Sequence, residues 1–260
     1  MTAIRLDGVS HVFASRKSQL RALAGIDLEI QDNEFVTLVG RSGCGKSTLL
    51  RIIAGLLRPT AGEVRIGDQP VRGPRRDVSF MFQRSALLPW RTVLQNVMLP
   101  VQILGLDRRT YRARAEELLA LTGLDGFEDR RPDELSGGMQ QRVSLCRALV
   151  HDPSVLLMDE PFAALDALTR EELSLELQRI WSEARKTIVF VTHSIQEAAL
   201  LADRIVVMTP RPGRLARTLE VHAPRPRSLG HSDHSEERDR VQAELHELLL
   251  ERQLAPAALA

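Results

Sequence analysis

The feature that most constrains this chain is a short glycine-rich segment that fits the phosphate-binding pattern G-x-x-x-x-G-K-[ST], the P-loop. The pattern and the residue after it are Gly40, Arg41, Ser42, Gly43, Cys44, Gly45, Lys46, Ser47 and Thr48. At an average glycine usage of about 7%, its four fixed positions would coincide by chance in roughly one percent of chains of this length. An apolar run at 35–39 predicts a strand before it, and apolar residues at helical spacing predict a helix over 48–57. Strand, turn and helix are the setting that the pattern requires, so we predict a phosphate-binding site here.

The backbone and side chains of the P-loop suit a nucleoside triphosphate with Mg²⁺. Glycines let the chain turn sharply and bring backbone N–H groups against phosphate oxygens. The helix N-terminus adds unpaired donors and roughly half a positive charge. Lys46 is expected to reach the β- and γ-phosphates, and the Ser47 hydroxyl is expected to ligate Mg²⁺. Cys44 lies at the positive end of the helix dipole, which favours a reactive thiolate, so we expect alkylation of Cys44 to block activity.

Size, charge and cysteine content exclude several classes of protein. The chain has 260 residues, enough for one large domain or two small ones with a sizeable core. With 35 Lys and Arg against 34 Asp and Glu, its net charge is +1, which gives no electrostatic footprint for nucleic acid. Two cysteines make no disulfide framework, and the N-terminus has no signal-peptide core. Since no apolar run approaches the roughly 18 residues of a membrane span, we expect a cytosolic protein that reaches a membrane only through a partner.

Three further buried strands are predicted, and each ends in polar residues. The polar residues are Gln83 after the strand 78–82, Asp159 and Glu160 at the end of the strand 155–160, and His193 after the strand 187–192. Open α/β sheets bind their ligands beyond the carboxyl ends of the strands, so we expect these side chains to lie beside the phosphates.

Each of these polar residues has a chemical role to offer and a plainer alternative. Asp159 can hold Mg²⁺, and Glu160 can orient and polarise a water in line with the γ-phosphate. Gln83 can reach the Mg²⁺ or a water, and His193 can contact the γ-phosphate. The alternatives are a solvated cap at Gln83, a solvated loop start at the two acids and an ordinary surface histidine.

Two aromatic residues also leave alternatives open. Residues 3–39 alternate apolar and polar residues like antiparallel strands, and Phe13 follows the first of them. Phe13 could fill a core, which the residues themselves favour, or stack on an adenine ring. Residues 84–150 predict a helical insert, with an amphipathic helix from about 111 to 121. Trp90, in the apolar segment that opens this insert, could pack inside it or belong to a docking site for a partner.

A second anion-binding helix start is predicted within the insert. Its residues are Leu135, Ser136, Gly137, Gly138, Met139 and Gln140. Ser136 is a suitable N-cap. The following glycines expose backbone N–H groups at the start of a helix that runs to about residue 150. One compact chain cannot easily bring both helix starts against one nucleotide, so we predict a site shared between two chains.

The C-terminal part of the chain predicts helices, a strand and a linker, and no metal site. Apolar spacing predicts helices over 167–184 and 195–202 and a last core strand at 204–208. Residues 224–235, rich in Pro and Arg, predict a linker before an amphipathic helix over 236–254. Because cysteines and acids at ligand spacing are missing around them, the histidines of this region do not predict a metal site. These are His222, His231, His234 and His246.

In their order along the chain, these motifs resemble those of the ATP-binding subunits of ABC transporters over roughly residues 4–220. The matching segments are GRSGCGKS as Walker A, Gln83 as the Q-loop, LSGGMQQR as the signature, VLLMDE as Walker B, Asp166 as the D-loop and His193 as the switch histidine. The resemblance implies an α/β fold: a P-loop NTPase core of the ABC ATPase type with an antiparallel β subdomain and a helical subdomain. It also implies ATP and Mg²⁺ as cofactors, Glu160 as catalytic base and Phe13 as the adenine-stacking residue. The signature of one chain would close on the ATP of its head-to-tail twin.

A finer resemblance, to nitrate, sulfonate and taurine importers, is carried by the segments LLPW, DEPF, LD and RPGR. It implies an ATPase domain over 1–222 and a C-terminal linker and helix over 223–260. Two transmembrane permease subunits, an extracytoplasmic solute-binding protein and a location at the cytoplasmic face of the membrane are implied as well. Nucleic acid is not expected as a partner.

The sequence is less compatible with two other functions. A soluble ABC ATPase acting on nucleic acid or ribosomes usually carries two cassettes or a long coiled-coil insert, and this chain has one P-loop. A nucleotide switch with negligible hydrolysis is disfavoured by the intact Glu160 and His193.

Overall fold

Two β-sheets organise the fold of the computed structural model, which describes residues 2–15, 18–228 and 235–254. The part of the predicted linker beyond residue 228, including His231 and His234, lies outside these residues, as does the segment after 254.

The smaller sheet has four strands and is antiparallel, as the alternation of apolar and polar residues predicted. Its strands are β1 (Thr2–Ala14), β2 (Gln19–Gln31), β4 (Ala61–Ile66) and β5 (Gln69–Pro70), in the order β2-β1-β4-β5. Buried side chains of this sheet, such as Leu6 and Ile26, share one apolar cluster with Leu49 and Leu50, just after the P-loop. The sheet therefore supports the P-loop from one side.

The larger sheet has six strands. They are β3 (Phe35–Val39), β6 (Val78–Met81), β7 (Val155–Asp159), β8 (Thr187–Val191), β9 (Arg204–Met208) and β10 (Leu215–Glu220). Their order is β10-β9-β3-β8-β7-β6, and all neighbours are parallel except β10, which pairs antiparallel with β9 at the edge. This order brings the carboxyl ends of β3, β8, β7 and β6 side by side.

Two strand predictions were wrong in this sheet. Residues 35–39 do not continue the antiparallel strands before them, because β3 pairs in parallel with β8 and β9. Residues 204–208 are not the last strand, because β10 follows. The β10 segment was missed since it is a short, mainly polar edge strand in which only Leu219 is buried.

The helix after the P-loop is shorter than its apolar spacing predicted. Helix α1 spans Lys46–Ile53 and not residues 48–57. At Gly55 the backbone φ is +71°, and a Cβ there would lie 2.2 Å from the carbonyl oxygen of Gly73. Only glycine fits this close approach, so the chain leaves the helix at this point and Leu56 is exposed.

The predicted helical insert is confirmed between β6 and β7. Its helices are α2 (Val93–Val97), α3 (Leu99–Leu104), α4 (Arg108–Leu121) and α5 (Gly137–Leu149). Helix α4 begins three residues before its predicted start because the side chain of Asp107 caps it. Apolar residues of the insert, such as Val97 and Leu145, share a core with Met158 of β7, so the insert packs directly on the larger sheet.

Three helices complete the fold, and all three were predicted. They are α6 (Ala167–Ala184), α7 (Ile195–Leu201) and α8 (Ser235–Leu254). Val241 and Leu245 of α8 are buried in one cluster with Ala198 and Ala202, so the last helix packs against α7. Within the described ranges, none of the helices combines the length and apolar character needed to cross a membrane.

The first residues of the predicted linker are held firmly by a buried arginine. Arg227 donates hydrogen bonds to five backbone carbonyl groups around the end of α7, and its backbone exchanges two hydrogen bonds with the Gln178 side chain. The carbonyl groups belong to Ala199, Leu200, Ala202, Val221 and Ala223. Burial lowers the pKa of Arg227 to about 10, which still leaves it charged at neutral pH. Residues 224–228 therefore form an anchored segment and not a free linker.

Replacing Arg227 by Met should lower the free energy of unfolding by about 1–3 kcal/mol, because buried carbonyl oxygens at the end of α7 lose their donors. Urea denaturation followed by circular dichroism measures this change. Arg21→Met, at an exposed arginine of β2, is the matched control and should change stability by less than about 0.5 kcal/mol. Equal stability of the two variants would contradict an anchoring role for Arg227.

Candidate functional site

The P-loop connects β3 to α1 and depends on a glycine at its last bend. Gly45 has a φ of +105° and precedes the first helical residue. A Cβ at Gly45 would lie 2.7 Å from a Leu23 methyl carbon and 3.0 Å from the Ala22 carbonyl oxygen, so β2 excludes larger residues here. The Lys46 side chain is only 4% exposed, and its Nζ donates to the carbonyl oxygens of Gly40 at 2.7 Å and Arg41 at 3.3 Å.

The three polar strand ends meet at the P-loop, as predicted. Glu160 lies at the centre of this group. Its carboxylate accepts a hydrogen bond from Gln83 Nε2 at 3.3 Å and lies 3.6 Å from His193 Nδ1. Lys46 Nζ is 4.0 Å from its other oxygen. The sheet order places β7 between β6 and β8, which is why residues so distant in sequence surround one carboxylate.

The backbone at Glu160 is held in an unusual conformation. Its φ is +46°, in the left-handed region that residues with a side chain rarely adopt. The N–H of Glu160 donates to the carbonyl oxygen of Val191 on β8 at 2.9 Å, which fixes the turn after β7. Strained residues of this kind concentrate at functional sites. The geometry does not fit the alternative that Asp159 and Glu160 merely begin a solvated loop.

Asp159 provides a buried carboxylate suited to a cation. It is 5% exposed, and its Oδ1 accepts a hydrogen bond from the Ser47 hydroxyl at 2.7 Å. Burial raises the pKa of Asp159, although the hydrogen bond from Ser47 opposes the rise. A carboxylate, a hydroxyl and the nearby Gln83 amide are hard oxygen ligands of the kind that Mg²⁺ accepts alongside phosphate oxygens. The residues present therefore fit Mg²⁺ bound together with a nucleotide.

A cavity of about 280 Å³ runs from these groups to the antiparallel sheet. Its lining residues are Phe13, Leu20, Ala22, Ser42, Gly43, Gly45, Lys46, Ser47, Thr48, Gln83, Glu160 and Arg211. Phe13 is 43% exposed and packs edge-on to His11 with ring centroids 4.5 Å apart. The interpretation of Phe13 as a core residue was therefore wrong. An exposed ring at the apolar end of the cavity is placed to stack on a base.

Three lining residues were not among the predicted site residues. Leu20 and Ala22 belong to β2, and Arg211 follows β9. The alternation of apolar and polar residues predicted the strand but not which of its side chains face a ligand. Arg211 belongs to the RPGR segment, and a sequence motif does not show which loop its side chains contact. The predicted residues Gly40, Arg41, Cys44, Asp159 and His193 do not line the cavity. Gly40 and Arg41 contact Lys46, and Asp159 and His193 lie behind the lining residues Ser47 and Glu160.

The expectation of a reactive thiol in the P-loop was wrong. Cys44 is 1% exposed, and its Sγ lies 2.9 Å from the position that a Cβ would take at Gly40. A thiol must be accessible to react, so the packing that shapes the P-loop shields Cys44 from reagents. Cys146 is also fully buried, and burial raises its pKa to about 12.

The second predicted helix start lies away from this cavity. Ser136 caps α5, its Oγ accepting from the Met139 N–H at 3.3 Å. The Gln140 amide points inward and donates to the carbonyl oxygens of Pro132 and Leu135. The cavity lining includes no residue of the segment 135–140. Gly137 and Gly138 therefore do not line the nucleotide cavity of their own chain.

A buried acid behind His193 links two further loops and was missed from the sequence. Glu197 of α7 accepts a hydrogen bond from the Thr192 hydroxyl at 2.5 Å and lies 3.6 Å from Arg170. Burial raises the pKa of Glu197. Arg170 also donates to the carbonyl oxygens of Phe162 and Leu165, just before Asp166, which itself caps α6. The loop that carries His193 is thus tied to the loop that carries Asp166.

Trp90 lies on the surface, at the start of the insert. Its side chain is 70% exposed, so the alternative that it packs inside the insert was wrong. The loop behind it is fixed by Asn96, which accepts from the N–H of Leu88 at 2.8 Å and donates to the carbonyl oxygens of Leu88 and Arg91. A pinned loop with an exposed tryptophan suits a protein partner.

This chain is similar in sequence and in structure to known ATP-binding proteins of transporters. The model of a family described as ABC transporter matches residues 23–163. A taurine import ATP-binding protein, TauB of Burkholderia thailandensis, is 45% identical over 94% of this chain and 94% of its own length. An aliphatic sulfonates import ATP-binding protein, SsuB of Bacillus cereus, is 42% identical over 92% of this chain and 94% of its own. A solved dimeric ATP-binding cassette in a post-hydrolysis state with ADP and Pi superposes with a TM-score of 0.76 at 35% identity. It covers 85% of this chain and 100% of that one.

Proposed function

We propose, from the premise that this chain belongs to the ABC transporter family of ATP-binding proteins, that it is the ATP-hydrolysing subunit of an importer for a small anion such as an aliphatic sulfonate, taurine or nitrate. One observation carries the ATPase assignment. Gln83 and Glu160 line one end of a cavity whose other end presents Phe13, and His193 lies 3.6 Å from the Glu160 carboxylate. The class of solute is supported by the relatives named for taurine and sulfonate import.

Binding of ATP begins with the P-loop. Phe13 stacks on the adenine, and the backbone N–H groups of residues 42–45 donate to phosphate oxygens. The amine of Lys46 exchanges the carbonyl oxygens of Gly40 and Arg41 for the β- and γ-phosphates. Ser47, Asp159 and Gln83 would hold Mg²⁺, which supplies positive charge to the β- and γ-phosphate oxygens when bound.

Hydrolysis then depends on Glu160. Its carboxylate accepts a proton from a water as the water oxygen attacks the γ-phosphorus, and the bond from phosphorus to the β–γ bridging oxygen breaks to leave ADP. Gln83 and His193 lie within 3.6 Å of that carboxylate and hold it in one orientation. We propose that His193 also donates a hydrogen bond to the γ-phosphate, which is supported by its position 3.6 Å from the Glu160 carboxylate.

A second copy of the chain completes the site. The segment 135–140 lies off the cavity of its own chain, and a related cassette of similar structure is dimeric. In a head-to-tail pair, the α5 start of one chain meets the γ-phosphate bound by the other, and Asp166 lies at the same interface. Each dimer then holds two ATP molecules.

The importer needs further subunits. We propose two transmembrane permease subunits, an extracytoplasmic solute-binding protein that acts through them, and a peripheral location at the cytoplasmic face of the membrane. Residues 1–222 would form the ATPase domain, with residues 223–260 as its C-terminal extension. Action on nucleic acid or ribosomes finds no support, since the net charge is +1 and the named relatives are import proteins.

The direct test is phosphate release from ATP by the purified chain, followed by transport assays in vesicles with its permease partners. Mg²⁺-dependent release that taurine or a sulfonate stimulates in vesicles is the expected result. A chain that binds nucleotide without hydrolysing it, alone or with partners, would contradict the proposal.

Trp90→Ala should leave the ATPase rate of the isolated chain unchanged and reduce transport in the reconstituted complex. The reason is that Trp90 is exposed and lies outside the nucleotide cavity. The apolar segment that ends at Trp90 follows shortly after Gln83, so it is placed to dock a short helix of a permease subunit. Leu56→Ala, at another exposed apolar residue, is the control and should transport normally. Unchanged assembly and transport in Trp90→Ala would remove this docking site.

A further inference from the structure

We infer that Arg211 is a second cationic contact to the bound nucleotide, presented by the turn at residues 211–214 after β9. The inference rests on the proposed ATP binding and adds to it a residue that the P-loop pattern does not contain. Arg211 lines the same cavity as Phe13 and Lys46, although it is 165 residues beyond Lys46 in sequence.

The guanidinium lies directly over the P-loop. Arg211 Nε donates to the carbonyl oxygen of Gly43 at 3.1 Å. Its terminal nitrogens have no hydrogen-bond partner within the part of the chain that the structure describes. One nitrogen thus fixes the side chain against the P-loop, and the outer edge of the fork is available to a ligand in the cavity.

Two glycines make room for this arrangement. A Cβ at Gly43 would lie 2.9 Å from Arg211 Nη2, so the guanidinium occupies the space that a side chain at this P-loop position would take. A Cβ at Gly213 would lie 2.1 Å from the carbonyl oxygen of Cys44, so the turn can approach the P-loop only with glycine there. The contact between turn and P-loop is therefore built from both sides.

The turn is also bonded to the antiparallel sheet that carries Phe13. The N–H of Gly213 donates to the Ala22 carbonyl oxygen at 2.9 Å, and the N–H of Ala24 donates to the Gly213 carbonyl oxygen at 3.0 Å. A closing hydrogen bond joins the N–H of Thr209 to the carbonyl oxygen of Arg214 at 2.9 Å. The backbone of the turn that carries Arg211 is thus held in place by neighbouring elements, which favours a preorganised contact.

Charge favours an anionic ligand as the second partner of Arg211. Besides Arg211, the charged residues that line the cavity are one carboxylate, Glu160, and one amine, Lys46, so without Arg211 the lining carries no excess positive charge. A nucleoside triphosphate adds several negative charges. A planar guanidinium is well suited to phosphate oxygens because it offers parallel donors and stays charged.

The test compares Arg211→Gln with Arg214→Gln, which removes the same charge from the same turn at an exposed arginine that does not line the cavity. Dissociation constants for ATP and for adenosine are measured by calorimetry, and thermal unfolding without nucleotide checks the fold. We expect Arg211→Gln to weaken ATP binding about tenfold or more, the range of one charge-assisted hydrogen bond, and to leave adenosine binding unchanged. Arg214→Gln should bind both like the wild type.

Other results of this experiment would overturn the inference. ATP binding by Arg211→Gln at wild-type strength would overturn the inference, and so would equal weakening for ATP and adenosine, which indicates only a support of the P-loop. Should Arg211→Gln not fold, Arg211→Met, which keeps the aliphatic stem, is judged by the same criteria. A wild-type chain that does not bind ATP would defeat the proposed function itself, so the two failures are distinguishable.

Discussion

A Glu160→Gln variant is expected to run as a dimer with ATP and as a monomer with ADP in light scattering. Gln keeps the size of the side chain and much of its hydrogen bonding, including a partner for Gln83, but it cannot accept the proton of the attacking water. Loss of a general base typically slows a reaction by about 10²–10⁴. ATP therefore remains bound between the two chains, where its γ-phosphate forms part of the interface.

The dimer also tests the role of the segment 135–140. Ser136→Arg added to Glu160→Gln should abolish the ATP-dependent dimer, because a bulky side chain at the cap of α5 blocks its approach to the partner's γ-phosphate. Glu183→Gln, at an exposed acid near the end of α6, is the control and should retain wild-type hydrolysis. A double variant that dimerises as well as Glu160→Gln alone would remove Ser136 from the interface. Wild-type hydrolysis by Glu160→Gln would show that another group is the base.

Lys46→Ala should lose about tenfold to more than a hundredfold in MgATP affinity, with hydrolysis reduced to match. The Lys46 amine is buried beside Glu160, and charge-assisted hydrogen bonds to phosphate contribute on the order of 1.5–3 kcal/mol. Calorimetry for binding and phosphate release for turnover measure the two effects. Arg58→Ala, an exposed cation beyond α1, is the matched control. Wild-type ATPase activity in Lys46→Ala would overturn the assignment of the P-loop.

The sequence predicted most of the elements that carry the site, because their signals are local. The apolar runs of β3, β7 and β8 and the helical spacing of α6 predicted elements with the observed bounds or within a residue of them. The identity of the polar residue at each strand end needed only the end of the apolar run. Ser136 was predicted as the cap of α5 on the same local grounds.

The errors arose where a residue distant in sequence decided the outcome. Helix α1 ends early because Gly73 occupies the space beside Gly55. The thiol of Cys44 is covered by packing, which the dipole argument could not include. Residues 224–228 are anchored where a free linker was predicted, because the buried Arg227 donates to carbonyl groups at the end of α7 and in the segment that precedes Arg227.

The sequence by itself determined that this chain has a P-loop, buried strands with polar ends and a capped second helix start. Those features follow from periodicity and from glycine and cap positions, which depend on neighbours in the chain. Only the tertiary structure decided that Gln83 and His193 converge on Glu160, that Trp90 is exposed and that Arg211 enters the nucleotide cavity. Strand order and the close contact of Gly213 with the P-loop bring these side chains together, and a local sequence pattern predicts neither of them.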